Sequence, residues 1–294
     1  MTYVRRITRA VLLPALAVIC GACASMTRPA SSERPRANDA PRFAVLAASD
    51  ERRNAALAGW KTVVGEQAAA GSPVPELEPV TETLKGLPAI LHDYPRLPLV
   101  VIKDARTQSE EETRESLRRF LSTAAPLLGT DLRQLSLIGV SDAPAAGTGA
   151  KRALYQQNPF AYPLRNGYGV VDVTFTPDLR VVKLSSTAIP EAERLARTLN
   201  TVAKTLTAEQ AVAALSNRPI TYTDRGGTQQ TRTVTQADSG VARQLVVFPI
   251  RRDADPATLE LHIAWEVSVG STDAPLLVYV DAATGDLLGA SQGS

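Results

Sequence analysis

The stretch that decides the fold of this chain is Leu259-Glu-Leu-His-Ile-Ala-Trp-Glu-Val-Ser-Val269. Apolar side chains alternate along it with polar or small ones, which is the pattern of a strand with one buried and one solvated face. A second apolar run, Leu276-Leu-Val-Tyr-Val280, follows, and the turn sequence Asp281-Ala-Ala-Thr-Gly-Asp286 connects it to Leu287 and Leu288. We therefore predict antiparallel strands closed by a tight turn at this end of the chain.

The polar positions of the first strand include Glu260, His262 and Glu266, and we expect these side chains to be solvated. The sequence has two histidines, His262 and His92, which lie far apart. Neither belongs to a His-Glu-x-x-His motif, through which a helix binds catalytic zinc. His92 lies just before a proline and is expected in a turn. We therefore predict no catalytic residue, no metal site and no cofactor, and interpret the chain as a protein that is not an enzyme.

Upstream of the closing strands, the spacing of apolar residues predicts helices that begin with capping signals. The clearest helix covers residues 109–129, where Ser109 and Glu112 have the spacing of a capping box. A second helix begins at Thr207, and a third is predicted over residues 49–65.

Further strands are predicted between and after these helices. They cover residues 99–102, 135–140, 152–157, 168–175, 181–185 and 242–248. Helices that alternate with antiparallel meanders indicate an α+β fold, in which antiparallel sheets each pack against helices.

The first 22 residues have the organisation of a secretory signal. Arg5, Arg6 and Arg9 form a basic start, and an apolar segment ends at Ala22. That segment is shorter than the roughly 20 residues that a transmembrane helix needs. We assign residues 1–22 to a signal peptide and predict that the protein is exported.

Cys23 stands in Gly21-Ala-Cys-Ala24, which resembles the lipobox of bacterial lipoproteins. The resemblance implies that Cys23 is lipidated and holds the protein at the cell envelope, with its globular part in the periplasm. Cys20 occupies the position where a lipobox usually has an aliphatic residue. The alternative is ordinary cleavage after Ala24, at an A-x-A-like site, which gives a soluble secreted protein.

The mature chain is predicted to contain a tether and two domains. Residues 23–48 are rich in Ser, Pro, Arg and Ala, which is typical of a flexible tether. The domains are assigned to residues 49–200 and 201–294. The net charge of +2 becomes about −1 without the arginines of the signal, so no basic surface for nucleic acid is expected.

Several segments resemble the propeptides of thermolysin-like and fungalysin-like metallopeptidases and the PepSY module. Residues 115–129 are similar to the first helix of such propeptides, and residues 152–157 to a strand that ends in an aromatic residue and glutamine. Residues 169–182 look like their next hairpin, and residues 207–288 look like PepSY. The resemblance implies a propeptide-like first domain and a PepSY-like second domain.

In that family, such modules act as intramolecular chaperones and inhibitors of the attached peptidase. We expect a stand-alone module here. The resemblance therefore implies that this chain binds a separate thermolysin-like metallopeptidase and restrains it or helps it to fold. The tail Leu287-Leu-Gly-Ala-Ser291 would then enter the peptidase cleft, or would simply be a hairpin strand. The alternative functions are a structural or assembly lipoprotein of the envelope that binds another protein, and an uncharacterised hydrolase.

Overall fold

The computed structural model describes residues 41–65, 70–89, 91, 93–100, 109–224, 226–235, 238, 240–270 and 275–293. Residues Asp39–Ser294 form one compact unit. It contains helices and largely antiparallel sheets, which confirms the predicted α+β class. Among the described residues, no helix has the length and apolar character needed to cross a membrane.

The helices begin largely where capping signals predict them. They are α1 (Asp50–Val64), α2 (Glu110–Leu128), α3 (Ala192–Thr201) and α4 (Ala208–Ala213). The side chains of Ser109 and Glu112 form the predicted capping box of α2, and Thr207 and Gln210 form that of α4. Helix α3 was not predicted, because its N-cap residue Glu191 makes no side-chain capping bond and has φ = +53°.

The strands form a four-stranded sheet, a seven-stranded sheet and a two-stranded ribbon. The strands are β1 (Ala44–Ala47), β2 (Glu76–Leu77), β3 (Leu84–Gly86), β4 (Leu135–Asp142), β5 (Lys151–Gln157), β6 (Val170–Phe175), β7 (Val181–Ser186), β8 (Pro219–Thr223), β9 (Gln229–Thr233), β10 (Gly240–Arg252), β11 (Asp255–Val269), β12 (Leu276–Asp281) and β13 (Leu287–Gln292).

The four-stranded sheet has the order β4-β5-β6-β7 and is antiparallel throughout. One face packs against α1 and α2, whose apolar stripe contains Leu117, Leu121 and Leu128. These positions are spaced by four or seven residues, so they lie on one side of the helix. Together with Val173 and Leu184 from the sheet they form a fully buried core.

The seven-stranded sheet is organised around β11, the strand with the clearest alternation. Its order is β1-β11-β12-β13-β8-β9, and β10 pairs with the other side of β11. Residues 258–261 of β11 pair with β1 and residues 264–269 pair with β12, so β1 and β12 lie in line along the same edge. Helices α3 and α4 cover the sheet through Leu195, Leu199 and Ala211.

Two expectations about the N-terminal half differ from the structure. Residues 44–47, the end of the predicted tether 23–48, form β1, because Ala44 and Leu46 are buried against β11. Leu99 and Val100 form no strand, and the Leu99 side chain is exposed. Residues 101–102 of that predicted strand lie outside the described residues.

Gly129 ends α2 in a conformation that also places it close to a neighbouring loop. It has φ = +69°, and a Cβ added there would lie 2.5 Å from Thr83 Cγ2. Gly129→Ala therefore combines positive-φ strain with a clash, and is expected to lower the free energy of unfolding by about 2–4 kcal/mol.

Gly65→Ala is the matched control for this variant. Gly65 follows α1 with φ = +81°, and nothing lies within 4 Å of an added Cβ. Without the clash, we expect a loss of about 1 kcal/mol from strain alone. Urea unfolding measures both variants, and equal losses would show that the contact with Thr83 costs nothing.

Candidate functional site

The predicted lipidation site and one of the two histidines lie outside the described residues. Cys23, the signal peptide 1–22 and His92 therefore stay predictions. The division of the chain into domains at residue 200 also stays a prediction. His262 and Glu266 are described, and both are accounted for below.

The expectation that His262 and Glu266 are solvated is wrong. Both are buried, and His262 is 3% exposed. The second face of the sheet is covered by segments distant in sequence, which local alternation does not reveal. The ring of Phe43 lies 4.7 Å from that of His262, and Arg165 Nε donates to Glu266 Oε2 at 2.7 Å.

His262 lies between two carboxylates. Its Nδ1 is 2.6 Å from Asp281 Oδ2, and its Nε2 is 3.0 Å from Glu260 Oε2. Both contacts are hydrogen bonds when the imidazole carries both of its protons. Burial opposes the ionisation of Glu260, but hydrogen bonds from Arg252 and His262 outweigh it and hold the pKa of Glu260 below its usual value.

Asp281 connects this histidine to the turn that precedes β13. Its Oδ1 accepts hydrogen bonds from the backbone N–H of Ala283 at 2.7 Å and of Thr284 at 3.1 Å. Both carboxylate oxygens of a fully buried side chain thus have partners. The turn sequence identified as a closing element is therefore fixed to the middle of β11 through His262.

A cavity of about 690 Å³ lies beside this cluster and is lined by Arg42, Phe43, Arg252, His262 and Asp286. An Asp–His pair in an active site usually leaves the far nitrogen free to exchange a proton with substrate or nucleophile. Here that nitrogen faces Glu260. Among the described residues no group of three or more His, Cys, Asp or Glu side chains is placed to hold a metal ion. We interpret the cluster as structural, because its hydrogen bonds fix the turn before β13 to β11.

The apolar tail that was considered for insertion into a peptidase cleft is part of the sheet. Residues 287–291 belong to β13, which pairs with β12 on one side and with β8 on the other. For example, Ala290 lies opposite Val278, and Ser291 lies opposite Thr223. Residues 287–291 are therefore a hairpin strand, as the second interpretation expects, and not a free segment.

The feature that offers a contact surface is the outer edge of β4. This strand is terminal in its sheet, so no described strand pairs with its outer side. Ile138 is 62% exposed and Val140 is 36% exposed, both among the exposed large apolar side chains of the described chain. Unpaired N–H and C=O groups next to apolar side chains are what an added strand requires.

A β-bulge divides this edge into two parts. The register with β5 shifts between Leu137 and Gly139, which leaves Ile138 as the extra residue. Bulges discourage continuous pairing along an edge, so an added strand would pair on one side of the bulge, at residues 139–142. The adjacent apolar residues Leu137-Ile138 break the alternation of the strand, and this break is the sequence signal that could have located the bulge.

The other terminal strands are less open than β4. Beside β7, Val181 N donates to Pro95 O at 2.7 Å, and beside β10, Val247 N donates to Pro163 O at 2.9 Å. Strand β9 consists of Gln, Thr and Arg residues alone and offers no apolar contact. Strand β1 carries the exposed Val45 but has only four residues, and Ala47 O at its end accepts from Arg52. Within the described part of the chain, β4 is therefore the best candidate for binding a partner.

Comparisons with known proteins identify no family for this chain. No family model matches this chain. No curated protein matches it either. Among solved structures it is similar to the Bacillus megaterium YpeB C-terminal domain, at 11% sequence identity and a TM-score of 0.30, over 66% of this chain and 70% of that chain. Since a TM-score this low carries no argument, the propeptide-like and PepSY-like assignments stay interpretations of the sequence.

Proposed function

We propose that this chain is an exported, non-catalytic lipoprotein module, anchored through Cys23, that binds and restrains or helps to fold a thermolysin-like metallopeptidase. Export, the anchor and the kind of partner come from the sequence. The contact surface comes from the fold, and the open edge of β4 is the observation that carries the proposal.

Strand addition at an edge uses two kinds of contact. Main-chain hydrogen bonds supply affinity, and side chains that alternate along the strand supply specificity. Strand β4 offers both at residues 139–142, because its outer backbone pairs with no described strand and Val140 is partly exposed. The bulge at Ile138 adds an exposed apolar contact beside that short ladder.

The rest of the sheet supports β4 rigidly, which lowers the entropic cost of binding. Strand β5 pairs with β4 along its whole length, and the core face of the sheet is fixed by α1 and α2. At the far end of β5, Gln157 Nε2 donates to Ile189 O at 3.0 Å, and Ile189 N donates to Gln157 Oε1 at 2.8 Å. These bonds tie the four-stranded sheet to the segment that leads into α3.

An inhibition titration tests the proposal. The compact unit, residues 39–294, is added to a thermolysin-like metallopeptidase that hydrolyses a small fluorogenic peptide. We expect stoichiometric loss of hydrolysis while the unit itself stays intact. Unchanged hydrolysis, or digestion of the unit as a substrate, would contradict a peptidase-restraining role and leave the envelope-assembly alternative.

A further inference from the structure

A second cavity, of about 680 Å³, lies where α1 and the end of α2 meet the start of α3. Its lining includes Gln134, the residue just before β4, but shares no residue with β4 or with the cavity beside His262. Its apolar wall consists of Ala55, Ala125, Pro126, Pro190 and Ala192. Its polar wall includes Arg52, Thr81, Glu82, Thr130, Glu191 and Arg194, with Gly129 between the two walls.

Glu82 is the unusual residue of this wall. Its side chain is 5% exposed, and its Oε2 has no hydrogen-bond partner. The guanidinium of Arg53 comes within 4.0 Å of Oε2 but is itself largely exposed. The backbone of Glu82 has φ = +56°, a conformation that costs energy for a residue with a side chain. A strained residue with a buried and unpaired carboxylate oxygen is unexplained by the fold alone.

Three of the other charged side chains of the wall pair with one another, since Glu191 accepts from Arg52 and from Arg194. Asp131, which also lines the cavity, accepts from Arg133 outside it. Arg52 also donates to the backbone carbonyls of Ala47 and Val80. Arg52 Nε is buried without a partner, as Glu82 Oε2 is, but the other two nitrogens of its guanidinium are held by Glu191 and the two carbonyls. Glu82 Oε2 is thus the buried carboxylate oxygen of the wall that has no hydrogen-bond donor among the described residues.

We propose that this cavity binds an arginine side chain of a protein partner, with Glu82 as the counter-ion. The apolar wall suits the methylene stem of arginine, and its planar guanidinium makes paired hydrogen bonds to a carboxylate. The inference that the arginine belongs to a partner protein rests on the proposed function. The recognition of a guanidinium by this cavity does not depend on that function.

Protonation of Glu82 supports the same assignment. Burial raises the pKa of Glu82 above its usual value, and the carboxylates of Glu78 and Asp50 act in the same direction. The charges of Arg53 and Arg52 oppose this shift without cancelling it. A carboxylate that is costly to ionise alone is stabilised when a cation enters beside it. Binding of a guanidinium should therefore strengthen as the pH rises through the raised pKa of Glu82, since the charged form is the one that pairs.

The test uses N-acetyl-arginine amide as the probe and N-acetyl-citrulline amide as its neutral isostere. Amide resonances of isotope-labelled residues 39–294 are followed by NMR during each titration. We expect saturable chemical-shift changes at Thr81, Gly129 and Thr130 with the arginine derivative. The affinity for the citrulline derivative should be at least about tenfold lower.

Three variants make the result specific. Glu82→Gln removes the charge at nearly constant volume, and should weaken binding of the arginine probe about tenfold and abolish its pH dependence. Ala125→Leu narrows the cavity without touching Glu82 and should weaken binding too. Glu76→Gln, an exposed glutamate outside the cavity, is the control and should bind as the natural chain does.

The proposal is overturned if the arginine probe causes no saturable shift, as expected where water alone satisfies Glu82. Equal responses to arginine and citrulline, or unchanged binding by the Glu82→Gln variant, would also overturn it. Because no peptidase takes part, the outcome is independent of the inhibition titration. A negative NMR titration would not affect the proposal for β4, and a negative inhibition titration would not affect the proposed guanidinium site.

Discussion

Asp281→Ala is expected to lower the free energy of unfolding by about 3–5 kcal/mol, since it leaves several buried hydrogen-bonding groups without their partner, each at a cost of about 1–3 kcal/mol. The substitution would leave His262 Nδ1 without its partner at 2.6 Å. It would also remove the acceptor for the backbone N–H groups of Ala283 and Thr284. Chemical denaturation followed by circular dichroism measures the loss.

Asp286→Ala is the matched control in the same turn. Asp286 is exposed, and its side chain accepts a hydrogen bond from the Thr284 hydroxyl at 2.8 Å. A surface substitution of this kind changes stability by about 0.5 kcal/mol or less. Similar losses for the two variants would show that the buried cluster around His262 contributes nothing beyond the turn itself.

The second large effect is expected on binding rather than on stability. Replacing Ile138 and Val140 together with lysine should weaken association with the metallopeptidase at least about 30-fold, the effect of losing about 2 kcal/mol at a central contact. Lysine on a strand edge disfavours the addition of another strand, and its charge would lose water in the interface. The inhibition titration with the double variant measures the change.

Val241→Lys is the control for this pair. Val241 is 60% exposed and lies on β10, a terminal strand of the seven-stranded sheet. All three positions are exposed, so the variants should unfold at nearly the same denaturant concentration as the natural chain. If Val241→Lys reduced inhibition as much as the double variant does, β4 would not be the specific contact edge.

The elements that could be predicted from the sequence are those fixed by local signals. The capping boxes at Ser109 and Thr207 located α2 and α4 because each box satisfies backbone groups within one turn of its own helix. The alternation along β11 located the strand in the same way. Helix α3 lacks such a signal, since Glu191 enters it from a left-handed conformation without a side-chain cap.

The features that could not be predicted depend on contacts between distant segments. His262 was placed in water because alternation shows two faces but not what covers the second one, here Phe43. The openness of β4 follows from its position at the end of the sheet order, which is a property of the whole topology. The spare carboxylate of Glu82 follows from the meeting of three helices around one loop.

The central claim is that the edge of β4 binds the partner, and amide hydrogen exchange along β4 tests it most directly. Exchange of residues 39–294 is measured alone and with an equimolar thermolysin-like metallopeptidase. We predict that, among residues 139–142, the alternate amides that point away from β5 exchange markedly more slowly in the mixture, because new main-chain hydrogen bonds form there. The amides of β9 are expected not to change. Unchanged exchange along β4 in a mixture that shows inhibition would place the contact elsewhere and contradict the account.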